Sequence, residues 1–290
     1  MSDFVIVTDS AADLPLALVQ ELDLTVVPLR FTFGETTYED HPDRRDMAIE
    51  AFYDRLRKGE MATTSAINVG DYQEALRPIL ESGRDVLLLV FTSALSTTYQ
   101  SAVIATEELK EEFPERKIMV VDTLAASAGQ GLLVYLTVEE KKKGASLEEA
   151  AAFAEATKLK ISHWFTVDDL VYLKRGGRIS PAAALVGNAL GIKPVMHVDN
   201  EGHLIPVSKV RGRKNALSAI ANKYGELAVD PAGGVVFISH GDCLSEVKVL
   251  EGMLQEKYGA KVEIITDVGT VIGAHSGPGT IALFFVSKER

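Results

Sequence analysis

Small hydroxyl and carboxyl side chains recur just after the apolar runs of this 290-residue chain. Val7 is followed by Thr8, Asp9 and Ser10. Phe91 is followed by Thr92 and Ser93, with Ser96, Thr97 and Thr98 close behind. Val121 leads into Asp122 and Thr123, and Ile238 into Ser239 and His240. Groups of this kind hydrogen-bond polar or anionic ligands, and in open parallel sheets ligands sit outside the carboxyl ends of strands. Taken singly, each is better explained as a helix N-cap. Their recurrence at several strand ends is what points to a ligand.

Two glycine-rich stretches could shape such a site. Gly176 and Gly177 lie between Arg175 and Arg178, just before a helix expected to open at Pro181. A Gly-Gly pair adopts positive φ and lets a backbone approach closely, and flanking arginines can hold a carboxylate or phosphate in bidentate fashion. A plain turn with solvated arginines fits the same residues. The second stretch, 269–279, encloses His275 among small residues and tight turns before the last apolar run, so His275 is expected to be fixed in place. The other histidines are His41, His163, His197, His203 and His240, and none of the six has the H-x-x-x-H or H-E-x-x-H spacing of a helical metal site. His197 and His203 flank a turn and are expected to be structural or exposed. No phosphate-loop motif is present. The nearest dinucleotide fingerprint, from Gly129 and Gly131, has Val134 where its third glycine belongs. A G-x-S-x-G nucleophile elbow is absent as well. The lone Cys243 excludes an intramolecular disulfide and a Cys-rich zinc site. Neither a cofactor nor a metal is expected.

The elements that must position these groups follow from hydrophobic patterning. Runs at 5–7, 26–31, 86–91 and 118–121 read as strands, with helices at 46–58, 72–80, 99–113 and 131–143. Ser146 and Glu149 form a capping box for a helix running to about residue 158. Beyond it, strands are expected at 195–198, 235–239, 262–266 and 281–286, and helices at 181–190, 214–225 and 244–258. Residues 199–202 read as a hairpin turn. Near-continuous Val, Ile and Leu runs separated by helices predict an α/β, two-domain protein with a mostly parallel sheet covered by helices in each domain. The shift from an Ala-rich helix to a Trp/Phe/Val segment at 158–164 divides it into 1–160 and 161–290.

Charge narrows the partners. With 41 acidic and 30 basic side chains the net charge is −11, which disfavours nucleic acid. The longest clean apolar run, 86–91, falls far short of the ~18 residues of a membrane helix, so no integral membrane span is expected. No targeting segment is visible at the start, and the single cysteine suits a cytoplasmic protein.

Six motifs together resemble the DegV family: Thr8-Asp9-Ser10, Thr64-Ser65, TSALSTTYQSA at 92–102, Asp122-Thr123, DLVYLKRGGRIS at 169–180 and HSGPG at 275–279. Their order and spacing match over essentially the whole chain. The resemblance implies a two-domain α/β protein that buries a long-chain fatty acid such as palmitate. It would serve as the non-catalytic fatty-acid-binding subunit of bacterial fatty acid kinase, feeding phospholipid synthesis. It would present the carboxylate to a separate ATP-using kinase subunit, which makes acyl phosphate. On the same resemblance, Thr64, Ser65, Ser93, Ser96 and His275 surround the carboxylate, and Arg178, with Arg175 as the fallback, contacts the partner or the phosphoryl group. Two departures stand out. Ala66-Ile67-Asn68 replaces the family's usual Gln-Pro-Ser, and Thr97 stands where glycine is usual. The energetics suit a binder: burying about 14 methylenes at ~0.8 kcal/mol each gives ~11 kcal/mol of gross driving force, much of it offset by lost ligand freedom. The alternative is a serine-type hydrolase or acyltransferase using Ser93 and His275, which would need an oriented acid behind the histidine and an oxyanion hole.

Overall fold

The structure is a computed structural model that describes residues 4–180 and 191–290. The helix expected at 181–190 lies outside the described residues. The first sheet has four strands in the order β2-β1-β6-β7, with β1 at Phe4–Asp9, β2 at Thr25–Val27, β6 at Asp85–Val90 and β7 at Ile118–Asp122. All of its pairings are parallel. Its strands are apolar on both faces because helices cover both: α3 (Val69–Glu81) and α4 (Thr98–Glu112) on one side, α5 (Ala128–Lys142) and α6 (Leu147–Thr157) on the other. A short helix α1, Leu16–Glu21, follows the turn after β1.

The run at 26–31 does not form a single strand. Pro28 has no N–H to give a ladder, and the chain breaks there into β2 and β3 (Arg30–Phe33). Strand β3 belongs to a separate small sheet, β4-β3-β5, with β4 at Thr36–Glu39 and β5 at Ala62–Ser65. Helix α2, Ile49–Arg57, covers it with Phe52 and Tyr53 against Phe31 and Phe33. Strand β5 carries Thr64 opposite Phe31 and Ser65 opposite Arg30.

The second sheet has six strands in the order β10-β9-β8-β13-β11-β12. These are β8 (Ile161–Thr166), β9 (Ile192–Val198), β10 (Leu204–Arg211), β11 (Val236–His240), β12 (Val262–Asp267) and β13 (Ile281–Val286). The α/β class holds, but here the expectation of a mostly parallel sheet is corrected: only β11 and β12 run parallel, and every other neighbour is antiparallel. Two connections explain this. The turn at 199–203 is too short for the crossover that parallel strands require. Strand β13 returns through the short α10 (Thr270–Ser276) and inserts between β8 and β11. Helices α8 (Arg213–Leu227) and α9 (Leu244–Tyr258) cover one face of this sheet, and α7 (Val171–Arg175) follows β8.

Helix α5 explains how the two large sheets become one body. Leu132, Leu133, Val134 and Val138 share a single buried cluster with Phe4, Ile6, Leu87 and Leu89 of the first sheet and Phe165, Phe237 and Phe284 of the second. A helix pressed from two sides is apolar nearly all round, which is why its sequence lacks a clean amphipathic stripe. The capping box at Ser146 forms as expected, with both reciprocal bonds to Glu149.

Candidate functional site

A cavity of about 510 Å³ runs between the first sheet, the second sheet and α10. Its walls are largely apolar, with Phe91, Phe165, Leu204, Val271 and Phe284 among them. The size and lining suit a small, mostly apolar ligand with a few oriented polar groups. Thr64, Ser65, Ser93, Ser96, His275 and Arg178 all lie on this wall. Arg175 does not. It lines a neighbouring cavity of about 250 Å³, whose wall also includes Thr64, Arg178 and His275.

Each polar group is held by its own element. Thr64 is the last residue but one of β5, and its Oγ1 lies 2.7 Å from His275 Nε2. His275 sits in the last turn of α10. Its Nδ1 edge faces Gly176, where a Cβ would fall 2.1 Å from that nitrogen. The close backbone approach expected of the Gly-Gly pair is therefore made by Gly176, against the imidazole. Burial and the neighbouring Arg178 push the His275 pKa down to about 4, so the ring is neutral near pH 7. Burial also lowers the Arg178 pKa. Among the described residues Arg178 bonds the carbonyl of Gly176 and no carboxylate. A neutral imidazole and several hydroxyls can hold a carboxylate by hydrogen bonds, and Arg178, a cation without an acid among the described residues, can meet a second anionic group.

Ser93 and Ser96 sit in the loop between β6 and α4. Asp122 fixes that loop: its Oδ1 accepts from the Ser93 N–H at 3.2 Å and from the Leu124 N–H at 3.1 Å. Ser96 Oγ pairs with Thr98 Oγ1 at 2.8 Å. Thr97, at φ −75°, has an ordinary backbone, so the residue that replaces the usual glycine imposes no strain. The other departure, Ala66-Ile67-Asn68, is built into the structure. Ala66 lines the cavity, Ile67 is fully buried in the core beside α3, and Asn68 caps α3 in a box with Asp71. Asp71 also takes a bidentate pair of bonds from Arg30, which ties this loop to β3.

The strand-end groups divide into two kinds. Ser93, Ser96 and Ser239 line the cavity. Thr8, Asp9 and Ser10 are buried and hold neighbouring segments instead. Asp9 accepts from the N–H groups of Phe91 and Ala11 and from Gln130 Nε2, and burial pushes its pKa up to about 6. No hydrogen bond joins Ser93 to His275 among the described residues. Sequence reasoning missed Asp13 and Ser127. Ser127, on the cavity wall, bonds Asp13 Oδ2 at 2.5 Å and Ser239 Oγ at 2.9 Å. These partners lie 114 and 112 residues away in the chain, so no local spacing could have revealed them. His197 is buried, as a structural residue would be, and its Nδ1 donates to the carbonyl of His163. Among the described residues no helix is long and apolar enough to cross a membrane.

Known proteins share this architecture from end to end. Residues 3–288 match the profile of the DegV family, described as uncharacterised proteins. A DegV domain-containing protein of Clostridium perfringens is 44% identical over 290 residues, covering 100% of this chain and 99% of its own. Among solved structures, a DegV lipid-binding protein from Thermotoga maritima superposes with a TM-score of 0.87 at 32% identity, covering 99% of both chains. A fatty-acid-binding DegV family protein from Thermus thermophilus gives 0.86 at 32%, covering 98% of this chain and 99% of its own. A stearic-acid-binding protein from Eubacterium ventriosum gives 0.88 at 28%, covering 98% of each. A family profile that spans nearly every residue, with the same fold in each of these structures, places the chain in the DegV family.

Proposed function

We propose that this protein binds a long-chain fatty acid, such as palmitate, in the 510 Å³ cavity and holds its carboxylate with Thr64, Ser65, Ser93, Ser96 and His275. The observation that carries this reading is the presence of all five residues on the wall of one largely apolar cavity. Fatty acid binding by solved relatives with the same fold supports it. The apolar wall supplies the gross driving force, and charge-assisted hydrogen bonds orient the head group.

In this reading the protein is a non-catalytic cytoplasmic carrier with two domains, 1–160 and 161–290. It presents the carboxylate to a separate ATP-dependent fatty acid kinase, which forms acyl phosphate for phospholipid synthesis. Arg178 contacts the partner or the transferred phosphoryl group, with Arg175 nearby. The half-buried Arg178, without an acidic partner among the described residues, supports that role.

The test begins with lipid extracted from denatured, purified protein and identified by mass spectrometry. A long-chain acid should be released, and adding it back to delipidated protein should raise Tm by mass action. Release of no fatty acid, with no Tm shift on addition, would end this reading. Arg178→Ala should keep fatty acid affinity but slow acyl phosphate formation by an added fatty acid kinase. The opposite pattern would move Arg178 into the carboxylate site.

A further inference from the structure

The acyl cavity carries a second polar face that the carboxylate residues do not account for. Ser127 precedes α5, where a serine normally caps the helix, yet its side chain makes no cap. Its backbone is held at φ 55° and ψ −150°, a conformation rarely adopted by a residue with a side chain. That geometry sends Oγ to Asp13 Oδ2 at 2.5 Å and Ser239 Oγ at 2.9 Å. Ser276 is also on the cavity wall, and its buried Oγ has no hydrogen-bond partner among the described residues.

A count of protons and lone pairs says what these groups can still bind. A serine hydroxyl has one proton and two lone pairs. If Asp13 is ionised, Ser127 donates to it and accepts from Ser239. If Asp13 is protonated, Ser127 accepts from it and either donates to Ser239 or accepts from it. Ser127 is left with one lone pair in the first two arrangements and with its proton in the third. A group that pairs with it in every arrangement must be able both to donate and to accept. A methylene chain offers nothing, and a ketone offers only an acceptor. A hydroxyl can do both, and the unpaired hydroxyl of Ser276 can pair with a hydroxyl in either sense.

We infer that the cavity prefers fatty acids bearing a hydroxyl on the acyl chain, recognised by Ser127 and Ser276. This rests on the fatty acid reading above and adds a ligand class to it.

The experiment uses full-length delipidated protein and displacement of a fluorescent fatty acid. The competitors are octadecanoic acid, a positional series of hydroxyoctadecanoic acids and the matching oxo acids. At one position the hydroxy acid should bind about fivefold tighter than both the unsubstituted and the oxo acid, the scale of one net hydrogen bond. In Ser127→Gly, which tolerates the positive φ, the ratio of hydroxy to unsubstituted affinity should fall to about one. Ser276→Ala should lower the same ratio and is an independent check should the Ser127 variant fold poorly. Binding of octadecanoic acid with no preferred hydroxyl position overturns this inference alone, and so does a preference that survives both substitutions. Failure of every acid to bind overturns the fatty acid reading as well.

Discussion

The hydroxyl of Thr64 and Nε2 of His275 stand 2.7 Å apart although 211 residues of chain separate them. The contact joins the small sheet to the helix just before the last strand. With the His275 pKa pushed down to about 4, the pair shares one neutral hydrogen bond around pH 7 rather than an ion pair. Thr64→Val and His275→Ala should each weaken fatty acid binding by about 1–3 kcal/mol, since each removes one bond and leaves its partner unpaired. Because the two residues touch, the double variant should lose less than the sum of the single losses. Titration calorimetry on the four proteins of the cycle measures this. Full additivity would mean that the residues act independently.

Two adjacent glycines should respond very differently to alanine. At Gly176 the backbone φ is an ordinary −70°, but a Cβ would meet His275 Nδ1 at 2.1 Å. At Gly177 nothing among the described residues lies within 4 Å of a Cβ, but φ is +69°. Gly176→Ala should therefore displace the imidazole and lower fatty acid affinity about tenfold or more. Gly177→Ala should cost about 1–2 kcal/mol of stability from its left-handed backbone and leave affinity nearly intact once folded. Thermal melts read alongside binding isotherms separate the two effects.

Asp13 should make stability fall as pH rises. It is fully buried, and burial is the main reason its pKa climbs from 3.8 to about 8. The Ser127 hydroxyl opposes that rise, Asp40 adds to it, and Arg44 and the Gly269 N–H oppose it more weakly. A raised native pKa means the folded state keeps a proton that the unfolded chain releases. The stabilisation is complete below about pH 4 and is lost as pH climbs through about 8. Asp13→Asn cannot ionise, so its Tm should gain on the wild type between pH 5 and pH 8. Parallel melts at those two values check the sign. A wild-type advantage that grows with pH would refute it.

Much of this site was legible because its hydroxyls follow apolar runs. Ser93, Ser96 and Ser239 are found on the cavity wall, where the strand-end pattern put a ligand. The direction of the second sheet was not legible. A buried Val/Ile/Leu run looks the same whether its neighbours are parallel or antiparallel, and only the 199–202 turn carried a hint. Strand β5 escaped notice for the opposite reason: Ala62-Thr63-Thr64-Ser65 is half-exposed and has no apolar run, so its strand character comes from pairing with β3. The Asp13–Ser127 contact depends on two residues with positive φ, 50° and 55°, neither of them glycine. No local pattern marks such positions, because tertiary contacts impose them.

The final prediction separates a binder from a hydrolase. A serine nucleophile needs a base within hydrogen-bond reach and an acid that orients that base. His275 meets neither need: Thr64 occupies its Nε2, and its Nδ1 edge faces the backbone of Gly176 rather than a carboxylate. Its pKa near 4 reflects burial and the nearby Arg178 cation, the reverse of the acidic neighbour that stabilises an imidazolium in a working triad. Wild-type protein should therefore leave a nitrophenyl ester of a long-chain acid unhydrolysed above background, and a fluorophosphonate probe should not label Ser93. Ser93→Ala should instead weaken binding of the free acid by about 1–3 kcal/mol, the loss of one charge-assisted hydrogen bond. Ester turnover that disappears in Ser93→Ala, with fatty acid affinity unchanged, would instead assign catalysis to this serine. Loss of affinity without any turnover in the wild type would keep Ser93 as a carboxylate ligand.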